Sequence, residues 1–90
     1  MLKNLEELIT TIRQRKISSN KKSYTSKLLN NKNLSIEKVK EEITELIDAV
    51  EKSTNEVHEA ADVLYHLMVF LEANDIKIED IMEELKKRQK

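Results

Sequence analysis

Apolar residues recur every three or four positions along most of this 90-residue chain, the spacing expected for one face of an α-helix. Four segments show the pattern. The first ends near Lys16 and carries Leu2, Leu5, Leu8, Ile9 and Ile12. The second carries Ile36, Val39, Ile43, Leu46, Ile47 and Val50, the third runs from Glu56 to Leu71, and the fourth carries Ile78, Ile81, Met82 and Leu85. We therefore predict one all-α domain over residues 1–90.

Polar residues between these segments predict where the helices begin and end. Ser35 is the expected N-cap of the second long helix. Ser53 and Glu56 have the spacing of a capping box, so the third helix should begin there, and it should end at Asn74. Because only a few residues join the second and third helices, we expect an antiparallel helical hairpin with flanking helices.

The composition strengthens the helical prediction and excludes several kinds of function. The chain has no Gly, Pro, Trp or Cys. Without Gly or Pro it lacks the usual residues of tight β-turns, and without Cys it has neither a thiolate nucleophile nor a cysteine-based zinc site. A formal net charge of −1 argues against nucleic acid as a partner. No stretch looks like a signal peptide or approaches the roughly 20 apolar residues of a membrane span. We expect a cytoplasmic protein with no membrane association.

The third helix carries a narrow polar stripe on an otherwise apolar surface. Glu59, Asp62 and His66 fall within roughly 60° on a helical wheel. No Lys or Arg occurs between Glu56 and Ile76. Two carboxylates one turn apart on a largely buried helix would repel each other unless they are paired or hold a metal ion. The alternative is that the stripe simply faces water, as most acidic residues do.

A second carboxylate pair precedes the first on the neighbouring helix. Glu42 and Glu45 lie one turn apart, and the predicted hairpin would bring them close to Glu59 and Asp62. Four carboxylates without a sulfur ligand suit a hard divalent cation, Mg²⁺ or Mn²⁺, of the kind used in phosphoanhydride chemistry.

A row of exposed salt bridges is the alternative for the acidic residues of the second helix. Lys38, Lys40 and Lys52 are near enough in sequence to pair with Glu41 and Glu45. Glu59 and Asp62 have no such cations beside them.

Residues 21–29 are expected to form a loop with one or two helical turns. Cations and hydroxyls are concentrated in and just before this segment: Lys16, Lys21, Lys22 and Lys27, with Ser23, Tyr24, Thr25 and Ser26. Such a mixture can hold phosphate oxygens, although a solvated polar loop would have the same composition.

Together these motifs resemble a known family. Glu41-Glu42-x-x-Glu45 followed by Glu59-x-x-Asp62 looks like the EExxE…ExxD pattern of the all-α nucleoside triphosphate pyrophosphohydrolases, the MazG-like superfamily. Within it, the chain is similar to the phosphoribosyl-ATP pyrophosphatases of histidine biosynthesis. The matching segments are Ser23-Tyr24-Thr25 with Leu28, Lys38-Val39-x-Glu41-Glu42, and Glu59 to Leu67, EAADVLYHL.

The resemblance covers essentially the whole chain, with two departures. Lys40 stands where the family usually has Gly before the paired glutamates, so local packing there should differ. Asn30, Asn31 and Asn33 replace a loop in which Gly is common, and asparagine tolerates left-handed backbone better than most residues.

The resemblance implies an activity, a cofactor and residue roles. The activity is Mg²⁺-dependent hydrolysis of 1-(5-phosphoribosyl)-ATP to 1-(5-phosphoribosyl)-AMP and pyrophosphate, with Mn²⁺ as a substitute. The implied metal ligands are Glu42, Glu45, Glu59 and Asp62, and Glu41 would either orient the attacking water or complete the metal shell. The implied substrate-binding residues are Lys22, Ser23, Tyr24, Lys27, Lys38 and His66, whereas Tyr65 is expected only to pack.

Two other functions remain open at this point. One is house-cleaning hydrolysis of noncanonical nucleotides by the same superfamily, against which the Ser-Tyr-Thr segment argues. The other is a helical interaction module, which the lack of sustained heptads makes a poorer fit.

The third helix also predicts self-association. It is apolar over most of its circumference, so a single hairpin with flanking helices would leave part of this surface exposed. The residues concerned are Leu64, Leu67, Phe70 and Leu71. We expect a homodimer with a four-helix-bundle core, or a larger even-numbered assembly of such dimers.

Overall fold

A computed structural model describes residues 1–17 and 23–89, and five helices make up this part of the chain. They are α1 (Lys3–Ile17), α2 (Tyr24–Leu29), α3 (Lys32–Lys52), α4 (Glu56–Ala73) and α5 (Ile78–Arg88). The all-α prediction is confirmed: the four periodic segments are α1, α3, α4 and α5, and α2 supplies the predicted turns. Each of these helices is too short or too polar to cross a bilayer.

Helix α4 is the element on which the others pack. It contacts α1, α2 and α3, and its interface with α3 is the largest. The fully buried core joins α1, α2 and α4 through Ile12, Leu28 and Val69. Ile12 lies on the apolar face predicted for the first helix, whereas Leu28 and Val69 were not among the predicted apolar-face positions. The hydrophobic effect that buries these side chains fixes which side of each helix faces inward.

Helices α3 and α4 form the antiparallel hairpin predicted from their short connection. Glu45, in the middle of α3, lies beside Glu59 near the start of α4. Glu42, one turn earlier in α3, interacts electrostatically with Asp62 and His66, which are further along α4. The two helices therefore run in opposite directions, and the acidic residues of α3 face those of α4 across the interface between the helices.

The two predicted N-caps are wrong. Asn31, not Ser35, caps α3: its side-chain oxygen accepts a hydrogen bond from Leu34 N at 3.1 Å. Ser35 instead lies inside the helix and is only 2% exposed. The capping box at Ser53 is absent as well, because Ser53 ends α3, and α4 begins after Asn55 without a side-chain capping bond to the described residues. The predicted start of α4 at Glu56 and its end at Asn74 are nevertheless confirmed.

The turn between α3 and α4 uses left-handed backbone without glycine. Ser53 has φ 55° and Asn55 has φ 53°. Thr54 N donates to Ala49 O at 3.0 Å, closing the end of α3 in the manner of a Schellman motif. A β-carbon in this conformation costs about 1–2 kcal/mol, less for asparagine than for serine.

Ser53→Gly is therefore expected to stabilise the protein. Removing the β-carbon relieves the left-handed strain, and the greater freedom of glycine in the unfolded chain offsets part of that gain, leaving about 0.5–1 kcal/mol. Urea unfolding followed by circular dichroism measures the difference. Thr54→Gly is the matched control: its φ is not positive, so it should be destabilising. A less stable Ser53→Gly protein would contradict the strain argument.

Helix α5 has no fully buried residue; Ile78 packs against the core, and ion pairs attach the helix further. The guanidinium of Arg13 donates to both carboxylate oxygens of Glu79, at 2.9 and 2.7 Å, and to Glu72 at 3.1 Å. Hydrogen bonding to Arg13 lowers the pKa of Glu79 to about 2. Arg13 thus joins α1, α4 and α5 at the end of the molecule where α4 finishes.

Candidate functional site

The hairpin brings three carboxylates together from two helices. Glu42 and Glu45 of α3 and Glu59 of α4 each offer an oxygen within 4.8 Å of the other two. Glu42 is 9% exposed, Glu59 is half-buried and Glu45 faces solvent. We call these three residues the carboxylate cluster. The i, i+3 spacing on α3 and the antiparallel seam produce this arrangement, as the sequence pattern predicted.

The carboxylate cluster is electrostatically unsatisfied. Oε2 of Glu42 and Oε2 of Glu59 are buried and accept no hydrogen bond from the described residues. Burial, together with the neighbouring Glu45, raises the pKa of Glu42. The pKa of Glu59 is raised by burial and by the charges of Glu45 and Asp62. Buried acceptors without partners are costly, and their neutralisation by a cation would remove that cost.

The donor set fits a hard divalent cation. All donors of the cluster are carboxylate oxygens, the ligands that Mg²⁺ and Mn²⁺ prefer, and the two unpartnered oxygens come one from α3 and one from α4. The exposed Glu45 leaves one side open to water and to substrate phosphates, which Mg²⁺ usually keeps in its coordination shell.

Asp62 lies in an adjoining group rather than within the carboxylate cluster. Its carboxylate, that of Glu59 and the imidazole of His58 offer ligand atoms within 4.8 Å of one another. The distance from His58 Nε2 to Asp62 Oδ2 is 3.5 Å. Sequence reasoning did not single out His58, although its position one turn before Asp62 and next to Glu59 was a usable signal.

Glu41 belongs to neither group. It is exposed and forms an ion pair with Lys38, whose Nζ lies 3.2 Å from its Oε2. For Glu41 the salt-bridge alternative therefore describes the geometry. Hydrogen bonding to Glu41 also raises the pKa of Lys38, which keeps this lysine charged.

Helix α2 is attached to α4 by two hydrogen bonds between side chains. The Tyr24 hydroxyl lies 3.0 Å from His66 Nε2, and the Thr25 hydroxyl is bonded to the Tyr65 hydroxyl. The rings of Tyr24 and Tyr65 are stacked with centroids 6.3 Å apart. Tyr65 thus packs, as predicted, and it also holds α2 through its hydroxyl.

The hydrogen bonds of His66 define its tautomer. Its Nδ1 lies 2.8 Å from the backbone carbonyl of Asp62, which can only accept, so Nδ1 carries a proton. In the neutral ring Nε2 then accepts from the Tyr24 hydroxyl. His66 is buried, at 7% exposure, and connects the substrate-binding segment predicted around Tyr24 to the backbone at Asp62.

The remaining predicted substrate-binding residues occupy different environments. Ser23 caps α2: its hydroxyl accepts from Ser26 N at 3.0 Å and donates to Ser26 Oγ at 2.8 Å. Tyr24 lies close enough to Lys38 and Glu42 for their charges to act on its pKa, which burial raises. Lys27 is exposed in the last turn of α2, and Lys22 lies outside the described residues. The structure therefore brings Tyr24, Lys38 and His66 near Glu42 of the carboxylate cluster.

Comparison with known proteins gives a consistent family. The model of the phosphoribosyl-ATP pyrophosphohydrolase family matches residues 5–89. The chain is 39% identical to the phosphoribosyl-ATP pyrophosphatase of Haloarcula marismortui, over 94% of this chain and 92% of that protein. It is 40% identical to the protein of the same name from Methanocella arvoryzae, with 96% of each chain covered.

A longer relative has the same similarity over part of its length. The histidine biosynthesis bifunctional protein HisIE of Pyrococcus furiosus is 43% identical over the whole of this chain, which spans 42% of that protein. With nearly the full length matched by the family model and by relatives of similar length, this chain belongs to the phosphoribosyl-ATP pyrophosphohydrolase family.

Proposed function

We propose that this chain hydrolyses 1-(5-phosphoribosyl)-ATP to 1-(5-phosphoribosyl)-AMP and pyrophosphate, as a step of histidine biosynthesis. The observation that carries the proposal is the family match over residues 5–89, joined to a carboxylate cluster with two buried, unpartnered oxygens. The family membership also argues against a helical interaction module without enzymatic activity.

The cofactor we propose is Mg²⁺, with Mn²⁺ as a substitute. Glu42, Glu45 and Glu59 would hold it. Asp62 lies beside them, in the adjoining group that also contains Glu59. When bound, such a cation polarises phosphate oxygens and lowers the pKa of a coordinated water. The protein contributes rigidity: Glu42 and Glu59 project from two packed helices, so their oxygens are fixed before substrate arrives.

The other side chains would handle water and substrate. Glu41, exposed on the turn of α3 that carries Glu42, would orient the attacking water. Lys38, adjacent to both Glu41 and Tyr24, would neutralise phosphate charge as pyrophosphate leaves. The phosphoribosyl end would be bound from the α2 side by Ser23, Tyr24 and Lys27, with His66 supporting Tyr24. Lys22 is a further proposed ligand of this end of the substrate.

Turnover measurements with Mg²⁺ test this proposal. Phosphoribosyl-ATP should release pyrophosphate and not single phosphate, and ATP should react at least about 10²-fold less efficiently in kcat/KM. ATP lacks the phosphoribosyl group and would therefore lose two charge-assisted hydrogen bonds to the protein, each worth about 1.5 kcal/mol. The loss of this transition-state stabilisation accounts for the expected difference in kcat/KM. A panel of noncanonical nucleoside triphosphates is the control. Equal rates on ATP and phosphoribosyl-ATP would move the chain to the house-cleaning class.

We also propose that the chain acts as a homodimer, or as a larger even-numbered assembly built from that dimer. Helix α3 leaves Ile36, Ile43, Ile47 and Val50 exposed, and these positions fall within roughly 60° of one another around the helix. We call them the α3 stripe. Helix α4 also exposes Val57 and Leu64, two turns apart. Two apolar stripes on one hairpin are what packing against a second hairpin into a four-helix core would require.

A further inference from the structure

We propose that His58 supplies a nitrogen ligand to a second divalent cation, held with Glu59 and Asp62 beside the carboxylate cluster, and that this position favours Mn²⁺ or Co²⁺ over Mg²⁺. The inference rests on the proposed function, because it shares Glu59 with the metal site proposed there. It adds a residue and a metal preference that the acidic pattern alone does not contain.

Geometry places the three donors around one point. His58 and Asp62 are four residues apart on α4 and therefore lie on the same side of the helix, with Glu59 next to them. One nitrogen and two oxygens lie within 4.8 Å of one another. Donors bound to one ion at about 2.0–2.2 Å lie up to roughly 4.4 Å apart. The His58 side chain is 72% exposed, so a small movement closes that difference.

The contact between His58 and Asp62 is too long to be a strong hydrogen bond for either side chain. At 3.5 Å it is longer than a charge-assisted hydrogen bond, which is about 2.7–2.9 Å. Glu59, the third member, has a buried Oε2 that accepts no hydrogen bond from residues 1–17 or 23–89. The neighbouring Glu42, 9% exposed, has a second such oxygen. Glu59 is common to both groups, and its unpartnered buried oxygen indicates a missing positive ligand rather than a completed surface ion pair.

The donor chemistry sets the metal preference. A site built from carboxylates alone suits Mg²⁺, whereas an imidazole ligand raises affinity for transition-metal ions, modestly for Mn²⁺ and more for Co²⁺ and Zn²⁺. The carboxylate cluster contains only oxygen donors, and the His58 group contains one nitrogen. The two positions should therefore differ in preference while sharing Glu59.

Pulsed electron paramagnetic resonance of the Mn²⁺-loaded full chain tests the assignment without using activity. The chain has two histidines, so a ¹⁴N coupling to Mn²⁺ can be assigned by substitution. We expect the coupling in the unmodified protein and in Glu56→Gln, the control on the same turn of α4, and we expect its loss in His58→Gln. In calorimetric titrations His58→Gln should weaken Co²⁺ binding at least about 10-fold and change Mg²⁺ binding less than about twofold.

The outcomes separate this inference from the proposed function. A ¹⁴N coupling that persists in His58→Gln, or Mn²⁺ binding without any coupling, overturns the role of His58. In both cases turnover of phosphoribosyl-ATP would leave the proposed function standing. Absence of Mn²⁺ binding altogether would overturn both the His58 position and the carboxylate metal site.

Discussion

Glu42→Gln is expected to reduce the rate of pyrophosphate release from phosphoribosyl-ATP by about 10³-fold. This is the upper end of the rate loss found when an enzyme loses one preorganised electrostatic group. The same variant should be more heat-stable than the unmodified protein when both are free of metal at pH 7. The two effects have one cause. The buried Glu42 carboxylate, with its unpartnered Oε2, destabilises the folded chain until a cation neutralises it.

The pH dependence follows from the raised pKa of Glu42. Its ordinary value is 4.5, and burial and Glu45 raise it in the folded state. Between the unfolded and folded values the native protein binds more protons, so the stability of the metal-free protein falls as pH rises through the interval above 4.5. The stability advantage of Glu42→Gln should therefore be large at pH 7 and vanish near about pH 4.

Thermal unfolding with and without Mg²⁺ measures the effect. The unmodified protein should gain about 2.7 kcal/mol at a Mg²⁺ concentration 100 times its dissociation constant, and Glu42→Gln should gain far less. Glu37→Gln, an exposed substitution on the same helix, is the control and should behave like the unmodified protein. Near-normal activity of Glu42→Gln, or a variant that unfolds at pH 7, would contradict the metal site.

Ile47→Glu is expected to dissociate the proposed dimer. Ile47 lies within the exposed α3 stripe, and in a two-fold interface the substitution occurs twice. Losing about 1.5 kcal/mol or more of apolar burial per copy weakens association at least about 10²-fold, before the added charges are considered. The subunits should then be monomeric at micromolar concentration, and activity should fall if the second copy completes the site.

Sedimentation equilibrium decides between monomer and dimer. The unmodified chain should sediment at twice the 10.6 kDa of a single chain, or at an even multiple. Ile17→Glu makes the same chemical change at an exposed isoleucine at the end of α1, away from the α3 stripe, and should leave the mass unchanged. A well-folded, fully active species of 10.6 kDa would refute the dimer.

The sequence predicted the helices and their pairing because both depend on periodicity. Apolar spacing identified α3 and α4, and their short connection required an antiparallel hairpin, which brings Glu42, Glu45 and Glu59 together. Helix caps were harder. Asn31 and Ser35 both have capping side chains and both lie within three residues before an apolar residue, Leu34 or Ile36, so the pattern could not show which one would cap α3.

The direction in which each side chain points was the other property that the sequence could not predict. The four carboxylates of the two helical pairs looked equivalent in sequence, yet Glu59 belongs to both groups and Asp62 lies with His58. Glu41, the additional acidic residue of the pattern, pairs with Lys38 instead. Those differences depend on rotamers and on the rotation of each helix about its axis, which follow from packing and not from spacing. The bond between Tyr24 and His66 was likewise beyond the sequence, because it joins residues 42 positions apart.

The turn from Ser53 to Asn55 also has a consequence for the order of folding. Three residues close the connection between α3 and α4, so little loop entropy opposes their meeting, and contacts across the hairpin join residues that are near in sequence. Contacts of α1 with α4 must instead close much longer loops, such as the one between Lys16 and Glu72, which are 56 positions apart. We expect the hairpin to form first, so that the acidic side chains approach one another while the N-terminal helix is still unattached. Divalent cations should then accelerate refolding as well as slow unfolding.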